Sequence, residues 1–173
     1  MPAAIYPLKR QEDLIRAINI LKRKKIELHI EFVGDGEGEY LSELQKFINT
    51  KGLAKYISFR GRKDDIVSCY KEADIVVSCS GVESFGRICI EGALAGCLII
   101  GANSGGTTEL IRDKETGLLF EYKNSYSLAQ KIEYAIKHPD EMQSMALRGQ
   151  NVAMRLFSKE NCSNSIYKIY EML

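Results

Sequence analysis

The sequence lacks tryptophan, and its 173 residues contain only three prolines and two histidines. Neither His29 nor His138 has a partner at the spacing of metal ligands, which argues against a zinc site. No apolar run reaches the roughly 18 residues needed to cross a bilayer, and no signal peptide is recognisable. A formal net charge of +1 provides no overall field to attract nucleic acid or a membrane surface. These absences leave an ordinary globular domain.

Cysteine use favours a reducing compartment. The five cysteines are odd in number, show no C-x-x-C spacing and lie mostly within apolar segments. We therefore expect reduced, buried thiols in a cytoplasmic protein. They are Cys69, Cys79, Cys89, Cys97 and Cys162.

Short apolar strands alternate with amphipathic helices along most of the chain. Strands are predicted at 3–6, 27–33, 56–59, 74–78, 97–100 and 117–120, with helices between them and helical segments from residue 125 onward. This alternation predicts an α/β fold, a doubly wound, Rossmann-like parallel sheet of about six strands. The chain opens directly on the first strand, which suggests a fragment of a longer protein.

The stretch 78–106 carries the clearest functional pattern. A strand end leads through a small-residue loop into a helix predicted to begin at Phe85, and Glu83 and Glu91 flank this junction. Unpaired amides at a helix N-terminus favour an anion. The Glu91 carboxylate, among small apolar neighbours, could accept hydrogen bonds from two vicinal hydroxyls of a ribose, or be satisfied by a lysine or a backbone group nearby. The pattern predicts a ligand that carries both phosphates and hydroxyls.

Other loops are predicted at the same carboxyl edge of the sheet. The loop 34–38 has G-x-G-x-G spacing and acidic residues, so it does not match a dinucleotide fingerprint. Gly34 could still let the backbone approach a ligand, although a flexible turn explains it equally well. Lys9 follows the first strand and could place its charge on a phosphate, or be an ordinary surface lysine.

Several motifs together resemble one enzyme family. They are Glu83-Ser84-Phe85-Gly86 followed by Glu91, Ala93-x-Ala95-Gly96, Gly105-Gly106-x-x-Glu109-Leu110 and Asp113-x-x-Thr116-Gly117-Leu118-Leu119. The chain resembles the retaining glycosyltransferases of group 1, typified by sucrose and glycogen synthases. The resemblance implies the C-terminal half of a two-Rossmann-domain (GT-B) fold. Residues 1–155 would form the nucleotide-sugar-binding domain, and residues 156–173 a helix that packs toward the N-terminal acceptor domain.

The resemblance also implies residue roles. Glu91 would hold the ribose hydroxyls, Glu83 the hydroxyls of the donor sugar, and Lys9 would neutralise the leaving diphosphate. Backbone amides of 84–87 would bind the diphosphate and sugar, the Arg62 backbone would contact the base, and Ile88 would pack near the nucleoside. The catalytic residues are then Glu83 and Lys9, and the donor-binding set is Gly34, Arg62, Glu83, Ser84, Phe85, Gly86, Arg87, Ile88 and Glu91.

The implied reaction is transfer of a hexosyl group, with retention, from a nucleoside diphosphate sugar to an acceptor hydroxyl. UDP or GDP is expected rather than ADP, and bacterial polysaccharide or glycolipid biosynthesis is the expected setting. No Asp-x-Asp motif is present, so neither a metal nor another cofactor is expected. This half alone would bind the donor without transferring it, in the cytoplasm, with any contact to the inner membrane face made by the full-length protein.

One position departs from the family pattern. Ala4 stands where the family usually carries an arginine, so half of the positive clamp is missing unless Arg10 or Arg87 compensates. Two other hypotheses remain open: a UDP-sugar epimerase-like isomerase of the same fold, and a non-catalytic Rossmann interaction module.

Overall fold

The computed structural model describes residues 1–81 and 85–171, except for the side chains of Lys159, Cys162 and Ser165. Within these ranges, strands and helices alternate as the sequence predicts. The strands are β1 (Ile30–Phe32), β2 (Ile57–Phe59), β3 (Ile75–Ser78), β4 (Leu98–Ala102) and β5 (Leu118–Phe120). The helices are α1 (Gln11–Arg23), α2 (Gly38–Thr50), α3 (Ile66–Lys71), α4 (Arg87–Leu94), α5 (Thr107–Leu110), α6 (Ser125–Lys137), α7 (Pro139–Leu156) and α8 (Lys159–Glu171).

All strand pairs are parallel. β1 pairs with β2, and β4 lies between β3 and β5. Every residue of β4 is buried, as expected for a central parallel strand covered on both faces. The predicted α/β fold is confirmed, and the carboxyl ends of the strands lie at a common edge.

Helices cover both faces of the three-stranded sheet. Val77, Leu98 and Ile100 face a core that includes residues of α1 and α6, whereas Val76 and Ile99 face a second core formed with α3, α4 and α7. Alternate residues of a strand point to opposite faces, so each strand contributes to both cores. This arrangement is the predicted doubly wound architecture.

The first predicted strand, residues 3–6, is hydrogen-bonded to a neighbouring strand on one side only. Three alternate backbone nitrogens donate hydrogen bonds of 2.7–2.9 Å to carbonyls of β1 and of the residues after it: the Met1 amino group to Glu31, the Ala3 amide to Val33 and the Ile5 amide to Asp35. Regular pairing is otherwise limited to a bridge between Pro2 and Val33, so the described residues form five strands rather than six. Pro2 has no N–H to donate toward the opposite side, which is one physical reason for the difference.

The described cysteines agree with the reduced state expected from the sequence. Cys79, Cys89 and Cys97 are buried free thiols, and Cys69 is a half-buried one. Burial raises the pKa of the Cys97 thiol to about 11, which keeps it protonated. Cys162 lies outside the described side chains. Over the described ranges, no helix is long and apolar enough to cross a membrane.

Candidate functional site

Hydrogen bonds join loops that follow the carboxyl ends of the strands in each of the two described sheets. The Gly34 amide donates to the Gly61 carbonyl at 2.9 Å, which links the loops after β1 and β2. The Ser104 hydroxyl donates to the Gly81 carbonyl at 2.9 Å, which links the loops after β4 and β3. The Ser80 hydroxyl donates to the Leu8 carbonyl at 3.3 Å, next to Lys9. The edge is therefore a connected surface.

Gly34 is required for close packing between two backbone segments. A Cβ atom at this position would lie 2.1 Å from the Ala3 carbonyl oxygen, and the φ of +152° is a conformation that side chains rarely allow. The sequence suggested that Gly34 lets backbone approach a ligand. What the structure places against Gly34 is the N-terminal segment of the chain itself.

Asp35 is a supporting residue that the sequence reasoning missed. Its carboxylate accepts a 2.9 Å bond from the backbone N–H of Arg62 and so positions the segment predicted to contact a base. The sequence analysis used the acids of this loop only to argue against a dinucleotide fingerprint. An aspartate in a turn after a strand commonly bonds a backbone N–H, which was the available signal.

The loop after β3 packs against an aromatic ring. A Cβ atom on Gly81 would lie 2.1 Å from Cζ of Tyr122, so the Gly81 backbone rests directly on the ring. Tyr122 follows β5. Its contact with Gly81 could not be predicted from the sequence, because it depends on tertiary packing. Val82, Glu83 and Ser84 lie outside the described residues, so the predicted roles of Glu83 and Ser84 remain predictions.

Helix α4 begins two residues later than predicted. Gly86, at a φ of +70°, precedes the first helical residue Arg87, and its carbonyl accepts from the amides of Cys89 and Ile90. Phe85 lies outside the helix, 56% exposed, with its ring edge-on to Phe157 at 6.0 Å. The amides at 86–88 precede the first intrahelical bonds and are the helix-terminal donors available to an anion.

Glu91 is held by two neighbours. The Tyr70 hydroxyl donates to Oε2 at 2.9 Å, and Nε of Arg87 lies 3.5 Å from Oε1. The Glu91 side chain is 37% exposed, so the carboxylate can still be reached from solvent. Burial, reinforced by this carboxylate, raises the pKa of Tyr70 far above its usual range and keeps the hydroxyl a donor. Among the described residues, the partners of Glu91 are a tyrosine and an arginine, rather than the lysine or backbone group that the sequence left as an alternative.

Arg10 is already committed to two acids. Its guanidinium makes two hydrogen bonds to Asp13, at 2.6 and 2.9 Å, and lies 3.3 Å from Glu12. The hydrogen bond to Asp13 raises the pKa of Arg10, because it stabilises the charged form. The Arg87 side chain, in contrast, is 81% exposed. Of the two residues considered as substitutes for an arginine at Ala4, Arg87 has the more available guanidinium.

Lys9 ends a short 3-10 turn, Pro7–Lys9, at the same edge. Arg62 is exposed, and Ile88 is half-buried against the second core. The described residues contain no cluster of His, Cys, Asp or Glu that could hold a metal ion. The described part of the predicted site thus comprises Lys9, the backbone amides at the start of α4 and the Glu91 carboxylate, and their roles toward a ligand remain predictions.

Comparison with known proteins identifies relatives over nearly the whole chain. EpsD of Bacillus subtilis, named a putative glycosyltransferase, is 30% identical over 169 residues, which are 98% of this chain and 44% of EpsD. A D-inositol 3-phosphate glycosyltransferase of Rhodococcus jostii is 29% identical over 97% of this chain and 38% of its own length. The chain therefore spans less than half of these relatives.

Solved structures match the fold. HepE of Anabaena, a GT-B protein solved with UDP, superposes with a TM-score of 0.93 and 27% identity over 99% of this chain and 47% of its own. It has also been solved with UDP-glucose. The C-terminal domain of LpcC from Francisella tularensis, a glycosyl transferase group 1 protein, matches with a TM-score of 0.80 and 27% identity over 92% of this chain and 84% of that domain. The family model for glycosyl transferases group 1 matches residues 1–152. This chain is a C-terminal domain of the group 1 glycosyltransferases.

Proposed function

We propose that this domain binds the nucleoside diphosphate sugar donor of a retaining hexosyltransferase. The observation that carries the proposal is the Glu91 carboxylate, held by Tyr70 yet open to solvent, on the helix whose N-terminal amides face the same edge. A ribose offers two hydroxyls to such a carboxylate, and a diphosphate suits the amides. UDP is the first nucleotide to test, because HepE, a relative of the same fold, has been solved with UDP and with UDP-glucose.

The proposed site residues divide by chemistry. Glu91 accepts from the ribose, and the Arg62 backbone, positioned by Asp35, borders the base. Ile88 packs against the nucleoside, and Gly34 supports the Arg62 loop through Gly61. Glu83 is predicted to bind the sugar hydroxyls. The Lys9 charge and the backbone amides of 84–87 complete the set of groups that the family resemblance implies.

The proposed reaction depends on charge left on the diphosphate. The bond from the anomeric carbon to the diphosphate oxygen breaks, and a bond to the acceptor oxygen forms on the same face. The acceptor proton passes to the diphosphate oxygen. Lys9 and the helix-terminal amides stabilise the negative charge that develops there, which is where fixed dipoles lower a barrier most. Neither step calls on a metal ion.

Transfer is proposed to require more than this domain. An acceptor must approach the donor from the opposite side, which in this proposal belongs to an N-terminal domain. Helix α8 leaves Ile166, Tyr167, Ile169 and Tyr170 exposed, which supports its predicted packing toward that domain. We place the full-length enzyme in the cytoplasm, at the inner membrane face when its acceptor is lipid-linked, in polysaccharide or glycolipid assembly.

Calorimetric titration with UDP, GDP, ADP and UDP-glucose tests the proposal. We expect saturable binding of UDP or GDP, tighter than that of ADP, and no sugar transfer by the domain alone. Absence of binding by every nucleotide at millimolar concentration would overturn donor recognition and favour an interaction module. Product analysis with an acceptor and the full-length protein separates transfer from epimerisation, because only transfer consumes the acceptor.

Tyr70 is expected to be a positioning residue for Glu91. Tyr70→Phe keeps the ring but removes the donor to Oε2, so the carboxylate loses its fixed orientation. We expect UDP binding to weaken about 3- to 10-fold, which is less than the loss of a direct hydrogen bond to a charged group, because Tyr70 acts on the ligand only through Glu91. The matched control is Tyr134→Phe, since the Tyr134 hydroxyl also donates to a glutamate, Glu141, near the end of α6. Equal effects of the two substitutions on UDP affinity would contradict the assignment.

A further inference from the structure

Arg87 carries an unfavourable charge for its place in helix α4. It is the first residue of the helix, where the macrodipole disfavours a cation, and the first turn contains no acidic residue. Its partner Glu91 lies four positions toward the C-terminus, and a cation that precedes an acid at this spacing is the less stabilising order. The side chain is 81% exposed, so it does not fill the core. Neither helix stability nor packing explains an arginine here.

The ion pair between Arg87 and Glu91 is loose. Its closest approach is 3.5 Å, from Nε to Oε1, which exceeds the usual hydrogen-bond range of about 2.7–3.2 Å. The Tyr70 hydroxyl, in contrast, donates to Oε2 at 2.9 Å. Ion pairs as exposed as this one contribute little to stability. The guanidinium can therefore leave the carboxylate at little cost.

The charge of Glu91 has to be offset before an anion can bind close to it. The Tyr70 hydroxyl is a neutral donor, because burial and the carboxylate raise the pKa of Tyr70 far above its usual range. The opposite charge comes from Arg87. Without it, Glu91 would repel a phosphate held by the amides at 86–88, which lie roughly one helical turn away.

A nucleoside diphosphate bound as proposed would pass Arg87. Its ribose hydroxyls lie at Glu91, and its phosphates, attached through the 5′ carbon, reach the amides at the start of α4. Arg87 and Glu91 share one face of the helix, about 6 Å apart along its axis, with Arg87 nearer the phosphates. Helical side chains tilt toward the N-terminus, so an extended Arg87 points past these amides. A guanidinium binds phosphate through two parallel hydrogen bonds, which makes phosphate a strong partner for it.

We propose that Arg87 changes partner when the donor binds: its guanidinium pairs with Glu91 until the ribose hydroxyls take that carboxylate, and then pairs with the diphosphate. This inference rests on the proposed function and adds a charged side chain to the diphosphate site. It also gives the site selectivity for phosphorylated nucleosides, because Arg87 assists only a ligand that carries the anion. Arg10 is less suited to this role, since two hydrogen bonds already hold it to Asp13.

The test compares the unchanged protein with Arg87→Gln, with Arg87→Lys, which keeps the charge, and with Arg112→Gln as the matched control. Arg112 is 77% exposed and lies 3.8 Å from Glu115, three positions along the chain. Calorimetry should show UDP binding about 10-fold weaker for Arg87→Gln, which loses a charged contact, and within about 3-fold for Arg87→Lys. We expect Arg112→Gln to bind UDP as the unchanged protein does.

Uridine separates a phosphate contact from an effect on Glu91. Followed by ligand-observed NMR, uridine should bind Arg87→Gln at least as tightly as the unchanged protein, because the ribose then has no competitor for Oε1. Raising KCl from about 50 to about 500 mM should reduce the difference in UDP affinity between Arg87→Gln and the unchanged protein, since salt screens a contact between exposed charges.

Three results would contradict the change of partner. They are an unchanged UDP affinity for Arg87→Gln, an equal loss of affinity for UDP and uridine, and a loss for UDP that is the same at both salt concentrations. In all three cases UDP still binds the unchanged protein, so the proposed function stands. If the unchanged protein binds no nucleotide, donor recognition itself fails, and the role of Arg87 fails with it.

Discussion

Replacing Glu91 with glutamine is expected to weaken UDP binding about 100-fold. The carboxylate is proposed to accept hydrogen bonds from both ribose hydroxyls, and bonds to a charged acceptor are worth about 1.5–3 kcal/mol each. Glutamine keeps the shape, but it removes the charge and leaves one oxygen, for which Tyr70 already competes. A loss of about 2.7 kcal/mol corresponds to the 100-fold decrease, which calorimetry can measure.

The matched control is Glu115→Gln. Glu115 lies 3.8 Å from Arg112 in the turn that precedes β5, at the amino edge of the sheet. Its substitution by glutamine therefore makes the same charge change far from the carboxyl edge. We expect its UDP affinity to equal that of the unchanged protein. In a double-mutant cycle, Tyr70→Phe should cost little further affinity once Glu91 is glutamine, because the two residues act on one contact. Full additivity, or an unchanged affinity for Glu91→Gln, would contradict the ribose assignment.

The parallel α/β architecture was predictable because its signals are local. β4 is buried at each of its five positions, and the sequence Leu98–Ala102 is correspondingly apolar throughout. Helical periodicity around Leu14, Ile18 and Leu21 likewise marks α1, whose apolar side is buried. Whether a strand or helix of this kind forms depends on its own sequence and on its burial. The order of these elements can therefore be predicted along the chain.

The contacts that shape the site were less accessible to sequence reasoning. Tyr70 and Glu91 are 21 positions apart, and only the packing of α3 on α4 brings the hydroxyl to the carboxylate. Helix α4 starts at Arg87 because Gly86 adopts a left-handed conformation, which the motif does not specify. The pairing of Arg10 with Asp13 could have been predicted from their i,i+3 spacing. That pairing makes Arg10 a weaker candidate to supply the positive charge that the family usually has at the position of Ala4.

Gly34→Ala is expected to destabilise the domain by about 3 kcal/mol. The added Cβ would lie 2.1 Å from the Ala3 carbonyl oxygen. This backbone segment is held in place by the hydrogen bond that the Ala3 amide donates to the Val33 carbonyl. If the N-terminal segment moves away, it loses its ladder to β1, at roughly 1 kcal/mol per hydrogen bond. If it stays, the overlap and the unfavourable φ must be accommodated. Urea unfolding monitored by circular dichroism measures the loss.

Gly38→Ala separates the two contributions to this loss. Gly38 also has a positive φ, +80°, but a Cβ there would meet nothing within 4 Å. Its substitution should cost about 1 kcal/mol, the usual penalty of a side chain at positive φ. The difference of about 2 kcal/mol then reports the contact between Gly34 and the N-terminal segment. If both alanine variants lose the same stability, backbone conformation alone explains Gly34, and the close approach of Ala3 contributes nothing to the fold.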